Sequence, residues 1–455
     1  MHTLGQNILL RLLKAINCIL MTMVFAGGYL LFYREGIQQD GGHQRLLVLL
    51  LLFAIFYYAF GKVYDAFLIS LAKVSEIIYA QVLTLLVVDC LMYVILCLIL
   101  NMIMNVRPFF CILLFQILVS VLWSYFTNKW YYSFFPPRRS AIVYDLREGF
   151  EKLIDSYGMT RKFDIKWIGT TDQCLQNMDV LKDMDTIFLS GVHSKERNQI
   201  LKYCMYNYKE VYVIPRVGDV LMSSAKKIHM FHLPIMKVTA YNPSPFYLFV
   251  KRVFYIVVSA TALIILSPVF IITMIAIKAA DGGPVFYKQE RLTKGGKKFW
   301  IHKFRTMCVD AEKDGKARLS TGDKDDRITP VGHVIRKFRI DELPQLIDII
   351  HGDLSIVGPR PEREEIALEY EKEIPEFHLR LQAKAGLTGY AQVYGKYNST
   401  PYDKLQMDLM YIANPSFIED LKICLATVKI LFIPESTEGI EDGAVNALGV
   451  KKENS

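Results

Sequence analysis

Four long apolar stretches, residues 15–33, 46–60, 77–104 and 108–126, fill the first third of the chain and constrain its fold more than any other feature. A helix of roughly 20 residues crosses the ~30 Å hydrocarbon layer of a bilayer, where a helix or a closed barrel alone satisfies the backbone polar groups. Most of the stretches have that reach, and the second gains it once residues 61–64 join it. The sequence therefore predicts four transmembrane helices. The first has no small-residue cleavage pattern and three more follow it, which argues against a removable signal peptide. Asp89 lies within the third, where a carboxyl facing a neighbouring helix and a transport role are both open readings. With 455 residues, 52% of them hydrophobic, and a formal net charge of +8, the chain has room for several domains and is not wholly soluble. Its eight cysteines include no C-x-x-C pair, so neither a zinc site nor a disulfide framework is indicated.

Positive charge orients the bundle. Arg11, Lys14, Lys62, Lys73, Lys129, Arg138 and Arg139 fall on one side of the four spans, against Arg34, Arg45 and Arg107 on the other. By the positive-inside rule the amino terminus and everything after Lys129 begin in the cytoplasm.

Residues 136–245 change character. Short apolar strands at 141–144, 163–168, 186–190 and 210–214 alternate with helical stretches at 146–157 and 195–206, the pattern of a small parallel, Rossmann-like sheet. The first strand runs into YDLREGF, which lacks the G-x-G-x-x-G turn that admits a pyrophosphate, so no bound dinucleotide is expected. A structural or regulatory module is the reading.

A fifth apolar segment, 253–277, is long enough to span, but Lys251 and Arg252 before it and Lys278 after it favour the same face. At its centre Ser267-Pro268 removes a backbone donor and breaks the helix, with the Ser267 hydroxyl available to the freed carbonyl. A re-entrant hairpin is expected. A proline-kinked fifth span is the alternative, and it would carry the remainder of the chain outside.

The remainder holds the chemistry. In RIDELPQ, Asp341 and Glu342 stand side by side before apolar positions 343, 346, 347 and 350 at helical spacing, and Gly352 marks the stop. Pro344 suits a first turn, so a helix starting here places Asp341 at or near its N-cap. Capping would suffice as an explanation if the motif stood alone. Within about sixty residues, however, the chain adds Lys303, Arg305, Arg336 and Arg360, cations that grip phosphate oxygens. Adjacent helical acids point about 100° apart, so the pair can address one bound cluster from two sides. Acids, cations and a Mg²⁺ ion held by Asp341 and Glu342 together suggest phosphoryl chemistry. A competing motif, Asp323-Lys324-Asp325, has the D-x-D form that holds a metal in glycosyltransferases that move sugar without its phosphate, although a surface loop explains those charges as well.

KRVFYIVVSATALIILSPVF, GGPVFYKQER, FWIHKFRTM, RITPVGHVIRKFRIDELPQL, HGDLSIVGPRPE, AGLTGYAQVYG and DLKICLATVKILF, in this order, resemble the bacterial sugar transferases, the polyprenyl-phosphate hexose-1-phosphate transferases or monotopic phosphoglycosyl transferases. The spans and Rossmann-like module that precede them are similar to the large, multidomain branch, which primes capsule, exopolysaccharide or O-antigen units. The resemblance implies that Asp341 attacks a nucleotide diphospho-sugar, UDP-glucose or UDP-galactose, to form an aspartyl phospho-sugar and release UMP. Undecaprenyl phosphate then takes the phospho-sugar at the cytoplasmic face of the inner membrane. It further implies that Glu342 assists as metal partner or in proton handling, that Lys303, Arg336 and Arg360 bind phosphate or order the site, that Asp420 lies near it, and that Ser267 and Pro268 form the hairpin break. Tyr390, Tyr394 and Lys396 depart from the tryptophan, asparagine and arginine that relatives often carry, in a loop suited to donor selection.

The expected architecture is thus an α-helical four-span bundle (1–135), a cytoplasmic Rossmann-like α/β domain (136–245), a mainly α monotopic catalytic domain with a re-entrant membrane helix (246–434) and a disordered tail (435–455). A basic amphipathic stretch, 379–387, rests on lipid or packs on its own domain. A homodimer is expected by analogy, and an inactive membrane scaffold is the non-enzymatic alternative.

Overall fold

The computed structural model describes residues 2–33, 42–145, 148–309, 327–395 and 399–431. Asp323, Asp325, Lys396 and the expected tail lie outside them. The chain forms two compact units that divide between Ile214 and Pro215.

The first unit begins with helices α1 (His2–Phe32), α2 (Gly42–Val63), α3 (Val74–Leu100) and α4 (Arg107–Phe134). Phe25, Phe53, Tyr57, Leu85, Val88 and Met92 fill the middle of the bundle, with the Phe25 and Phe53 rings stacked at 4.4 Å. Leu31, Leu98 and Leu114 are exposed on the outside, as lipid contact requires. Helix α2 does extend to Val63, which brings the second stretch to spanning length. Asp89 faces a neighbouring helix, accepting a hydrogen bond from Gln116 of α4 at 3.4 Å.

Four strands follow: β1 (Arg138–Tyr144), β2 (Phe163–Thr170), β3 (Thr186–Ser190) and β4 (Glu210–Val213). They form one parallel sheet of order β2-β1-β3-β4. Alternate side chains of β1 and β3 bury on opposite faces: Ala141, Val143, Ile187 and Leu189 in one core, Ile142 and Phe188 in the other. Helices α5 (Phe150–Ser156), α6 (Thr171–Gln176) and α7 (Ser194–Tyr206) connect the strands. The first begins later than its apolar pattern predicts, because Gly149 stands at φ +85°, outside helical space.

The second unit opens with α8 (Val217–Ser223) and the hairpin β5 (Lys226–Met230) and β6 (Leu233–Lys237). Val217 and Val220 sit in the core of this unit. The second compact unit thus begins a helix and a hairpin before residue 246, since nothing in the local periodicity of α8 says which core receives its apolar face. Helices α9 (Pro245–Ile265) and α10 (Ser267–Asp281) come next. They are separated at Leu266, and Ser267 Oγ donates to Ile264 O at 2.8 Å, the partner expected for a broken turn. Arg252 donates to the carbonyls of Ile349 and Ile350, whereas Asp281 binds Arg305, three residues beyond His302, which is itself bonded to Asp348. A straight helix would hold residues 252 and 281 about 44 Å apart. Both ends of the segment are tied to the same domain.

The rest comprises the hairpin β7 (Phe286–Leu292) and β8 (Lys298–Phe304), α11 (Pro330–Lys337), α12 (Gln345–His351), the parallel pair β9 (Ser355–Val357) and β10 (Gly386–Thr388), α13 (Glu364–Glu373), α14 (Tyr390–Tyr394), α15 (Pro401–Ala413) and α16 (Phe417–Leu431). Leu346, Ile349, Leu354, Val357, Leu405, Leu409 and Ile423 close its core. The stretch 379–387 packs on this domain, with Arg380, Ala383 and Ala385 buried, which settles the alternative left by the sequence.

Candidate active site

Asp341 and Glu342 do not begin α12. They occupy a separate single turn of 3-10 helix, Ile340–Glu342, and α12 starts three residues later with Pro344 as its cap. Arg339, which enters that turn, has φ +52°, a left-handed conformation a non-glycine residue adopts at a cost of about 1–3 kcal/mol. The bend turns the acid pair out of the helix line, so helix capping does not account for it. Helix α12 then ends where expected, with Gly352 at φ +100°.

The two acids are treated differently. Lys303 of β8 donates to Glu342 Oε1 at 2.9 Å, and Arg360 donates to the same oxygen at 3.4 Å. Asp341 Oδ2 lies 3.9 Å from the Lys303 ammonium, an ion pair without a hydrogen bond. Burial opposes ionisation of both acids. At Glu342 Lys303 and Arg360 overcome it and hold the carboxyl well below the usual range. At Asp341 burial prevails over Lys303, and the neighbouring charge of Glu342 adds to it, so this carboxyl titrates above its ordinary value. Arg336 and Arg339 also act on Asp341. Four cations thus face two carboxylates: Glu342 is strapped, and Asp341 retains an oxygen that can approach an incoming atom.

Lys303, Arg336 and Arg360 each have a support. Asp348 of α12 accepts from His302 N at 2.9 Å and meets His302 Nδ1 at 2.5 Å, which registers the strand bearing Lys303 against the helix behind the acids. Arg336 donates to Thr306 Oγ1 at 2.8 Å. Arg360 follows β9 in a loop where a Cβ on Gly358 would meet Lys384 O at 2.2 Å, so glycine permits the close packing. The carbonyl of Arg360 accepts from Arg380 Nη2 at 2.8 Å, and buried Asp408 holds Arg380 at 2.7 Å.

Two expected members stand elsewhere. Arg305 is committed to Asp281 and to the carbonyls of Pro284 and Met307, where it ties the foot of α10 to the end of β8. Asp420 is fully buried and accepts from Tyr247, Tyr411 and Lys251; the Lys251 ammonium also donates to Val357 O. Its place is thus in the seat of α9 on the domain, and its oxygens are occupied by protein donors. Lys251 and Arg252, expected as flanking charges at a membrane surface, are likewise used inside the domain. His302, Asp348, Arg380 and Asp408 were missed: nothing in their spacing marks them, and lone charges in a helix look solvated until the fold buries them.

Among the described residues, no group of three or more His, Cys, Asp or Glu could hold a metal unaided. Two adjacent carboxylates are nevertheless the hard-oxygen donor set that Mg²⁺ takes when substrate phosphates and water complete its shell. The acid pair therefore fits such an ion.

A bundle of apolar helices and a domain that gathers two acids and four cations are the features of a membrane protein with a clustered, highly charged site. The family profile described as bacterial sugar transferase matches residues 246–434. The chain is 36% identical over 239 residues to the UDP-N-acetylgalactosamine-undecaprenyl-phosphate N-acetylgalactosaminephosphotransferase of Aeromonas hydrophila, covering 52% of this chain and 55% of that protein. It is 38% identical over 191 residues to the UDP-glucose:undecaprenyl-phosphate glucose-1-phosphate transferase of Caulobacter vibrioides, covering 41% of this chain and 71% of that one. It is 31% identical over 275 residues to the UDP-galactose-lipid carrier transferase of Erwinia amylovora, with 56% and 57% covered. The match spans about half the length of the first and third of these relatives. The chain belongs to the bacterial sugar transferase family and holds helices long and apolar enough to cross a membrane.

Proposed function

We propose that the protein transfers hexose 1-phosphate from a UDP-sugar to undecaprenyl phosphate. The observation that carries this is the unequal acid pair, in which Lys303 and Arg360 strap Glu342 and leave Asp341 the less committed carboxylate. In the proposed first step an Asp341 oxygen attacks the sugar-bearing phosphorus, and the bond to the bridging oxygen breaks. UMP departs with that electron pair. The product on the enzyme is an aspartyl phospho-sugar. An oxygen of undecaprenyl phosphate then attacks the same phosphorus, the acyl-phosphate bond breaks, and Asp341 is restored as carboxylate. A carboxylate is a weak nucleophile toward an anionic diphosphate, so the chemistry needs the screen that Lys303, Arg336, Arg339 and Arg360 provide. Mg²⁺ held by Asp341 and Glu342 would add charge neutralisation on the phosphates. Glu342, kept ionised by its two straps, positions the cations.

The donor is proposed to be UDP-glucose or UDP-galactose; the relatives' names span three sugars, in keeping with selection by a local feature. Tyr390 and Tyr394, at the two ends of α14 with ring centroids 4.6 Å apart, are the proposed selectors. The bend at Leu266 is proposed as a re-entrant hairpin in the cytoplasmic leaflet of the inner membrane. Exposed Ile264, Ile265, Ile271 and Ile272 flank the bend and give it an apolar tip. Alone, α9 is long and apolar enough to cross. Its partner α10 anchors its far end on the same domain, through Ile277 against Phe304 and Ile335.

The purified protein, a panel of UDP-sugars, Mg²⁺ and undecaprenyl phosphate test the reading. Release of UMP, rather than UDP, with one sugar is expected. UDP release would establish a transfer of sugar without phosphate. Asp341→Asn should lower the rate by several orders of magnitude, as expected when a covalent nucleophile is removed, whereas a scaffold would be indifferent.

A further inference from the structure

A cavity lies wholly within the first unit, far in sequence from the acid pair. Its volume is about 380 Å³, in the range of small-ligand sites. Gln6 and Leu10 of α1, Ser70 of the α2–α3 connection and Tyr131, Tyr132 and Phe135 at the end of α4 form one wall. The other wall is the edge of the sheet: Arg138 at the start of β1, Lys162 before β2, and Glu210 and Tyr212 of β4.

The charges in this cavity do not cancel. Glu210 is the single carboxylate among the lining residues, and both its oxygens are engaged, one by Arg138 and the other by the Tyr212 hydroxyl at 2.6 Å. Arg138 also reaches Gln6. Lys162 has no hydrogen-bonded carboxylate among the described residues; its ammonium lies 5.1 Å from the centre of the Phe163 ring. Two cations therefore share one acid in a half-buried space. Burial, reinforced by the Arg138 charge and only partly offset by Glu210, pulls the Lys162 pKa below its ordinary value, as expected of a dehydrated cation that shares its one counter-ion. Water would relieve it weakly. An anion would relieve it more; of the lining hydroxyls, Tyr212 already donates to Glu210 and Tyr132 to Ser70 O, which leaves the Tyr131 and Ser70 side chains as polar partners for phosphate oxygens.

The location narrows the ligand further. The cavity meets the last turn of α4, the level at which a bilayer's phosphates stand if α4 spans it, and basic side chains at that level bind anionic headgroups. We propose that this cavity is a binding site for a phosphate-bearing ligand, anchored by Lys162 and Arg138 and closed by Tyr131 and Tyr132. Two sources share that chemistry, an anionic lipid headgroup and a soluble phosphate. Occupancy would join the inner edge of α1 and α4 to the sheet, so a ligand would stiffen the junction between spans and Rossmann-like domain.

The test uses the full chain with Arg360→Gln in the background, which weakens phosphate binding at the acid pair. One arm measures melting in detergent with inorganic phosphate against chloride at equal ionic strength. The other reconstitutes the protein in nanodiscs of phosphatidylcholine containing about a fifth phosphatidylglycerol and records retained lipid by native mass spectrometry. Stabilisation by inorganic phosphate, with affinity reduced about tenfold by Lys162→Gln and kept by Lys162→Arg, identifies a soluble source. Retained phosphatidylglycerol that is lost in Lys162→Gln and kept in Lys162→Arg identifies a lipid source. Absence of both effects, or effects equal in Lys162→Gln and the parent, overturns the proposal. Lys162→Arg preserves the charge and thus separates a binding defect from a folding defect.

Discussion

Asp341 and Glu342 share a type of side chain and a burial, and yet their partners set them apart. Glu342 collects Lys303 and Arg360, so its replacement by Gln should loosen two cations at once and lower kcat/KM by about 100-fold, measured by UMP release. Arg380 acts at one remove. It holds the carbonyl of Arg360, so Arg380→Met should raise the donor KM about tenfold with kcat changed much less, and Arg380→Lys should recover part of the loss; equal effects on both constants would mean a general folding defect. Its partner Asp408 offers a pH handle. Burial raises the Asp408 carboxyl from 3.8 to about 6, against the opposing charge of Arg380. Between those values the folded chain keeps a proton that the unfolded chain has released, so stability present below pH 4 is lost as pH rises through about 6. Asp408→Asn should flatten that part of the melting profile, by on the order of 1 kcal/mol, read as the change in detergent melting temperature between pH 4.5 and pH 7.

At the scale of elements, the decisive feature is the break at Leu266-Ser267. Two helices meet there with apolar side chains about the break, and each is held by the same domain, α9 through Arg252 and α10 through Ile277 and the bond between Asp281 and Arg305. The proposed re-entrant hairpin would leave the acid pair on the side of the membrane where the segment entered. Cys308, which is exposed at the end of the β8 connection, reports that side. With the other cysteines replaced by serine, Cys308 should resist a membrane-impermeant maleimide in intact cells and react after lysis. Labelling of intact cells would mean that the segment crosses. The 3-10 turn at 340–342 makes the same point on a smaller scale, since one left-handed residue, Arg339, separates the acids from the helix that would otherwise have absorbed them as caps.

For the whole molecule, the divide between Ile214 and Pro215 has a consequence for how the chain can be cut. A fragment starting at 246 loses Val217 and Val220 from the core of the second unit, whereas one starting at 215 keeps them. Burial of a valine contributes about 1.5–3 kcal/mol. The longer fragment should therefore be the more stable by roughly 3 kcal/mol or more, seen as a higher melting temperature in detergent. Equal melting would mean that α8 belongs with the first unit. The first unit in turn combines the apolar helices and the sheet, and both contribute side chains to its cavity.

Periodicity and hydropathy are local properties, and what they encode was legible in the sequence: four helices of spanning length, strands alternating with helices, the stop at Gly352 and the break at Ser267. The acid pair and the cations Lys303, Arg336 and Arg360 were legible as well, because their residue types concentrate within a short run. Where a charge ends up depends on packing between distant segments, which no local pattern records. Hence Arg305 and Asp420 passed from the expected site into the joints of α10 and α9, while Arg380 came off a presumed lipid surface to hold the Arg360 loop. The difference between Asp341 and Glu342 likewise arises from a strand and a loop, at Lys303 and Arg360, that meet the pair only after the chain has closed on itself.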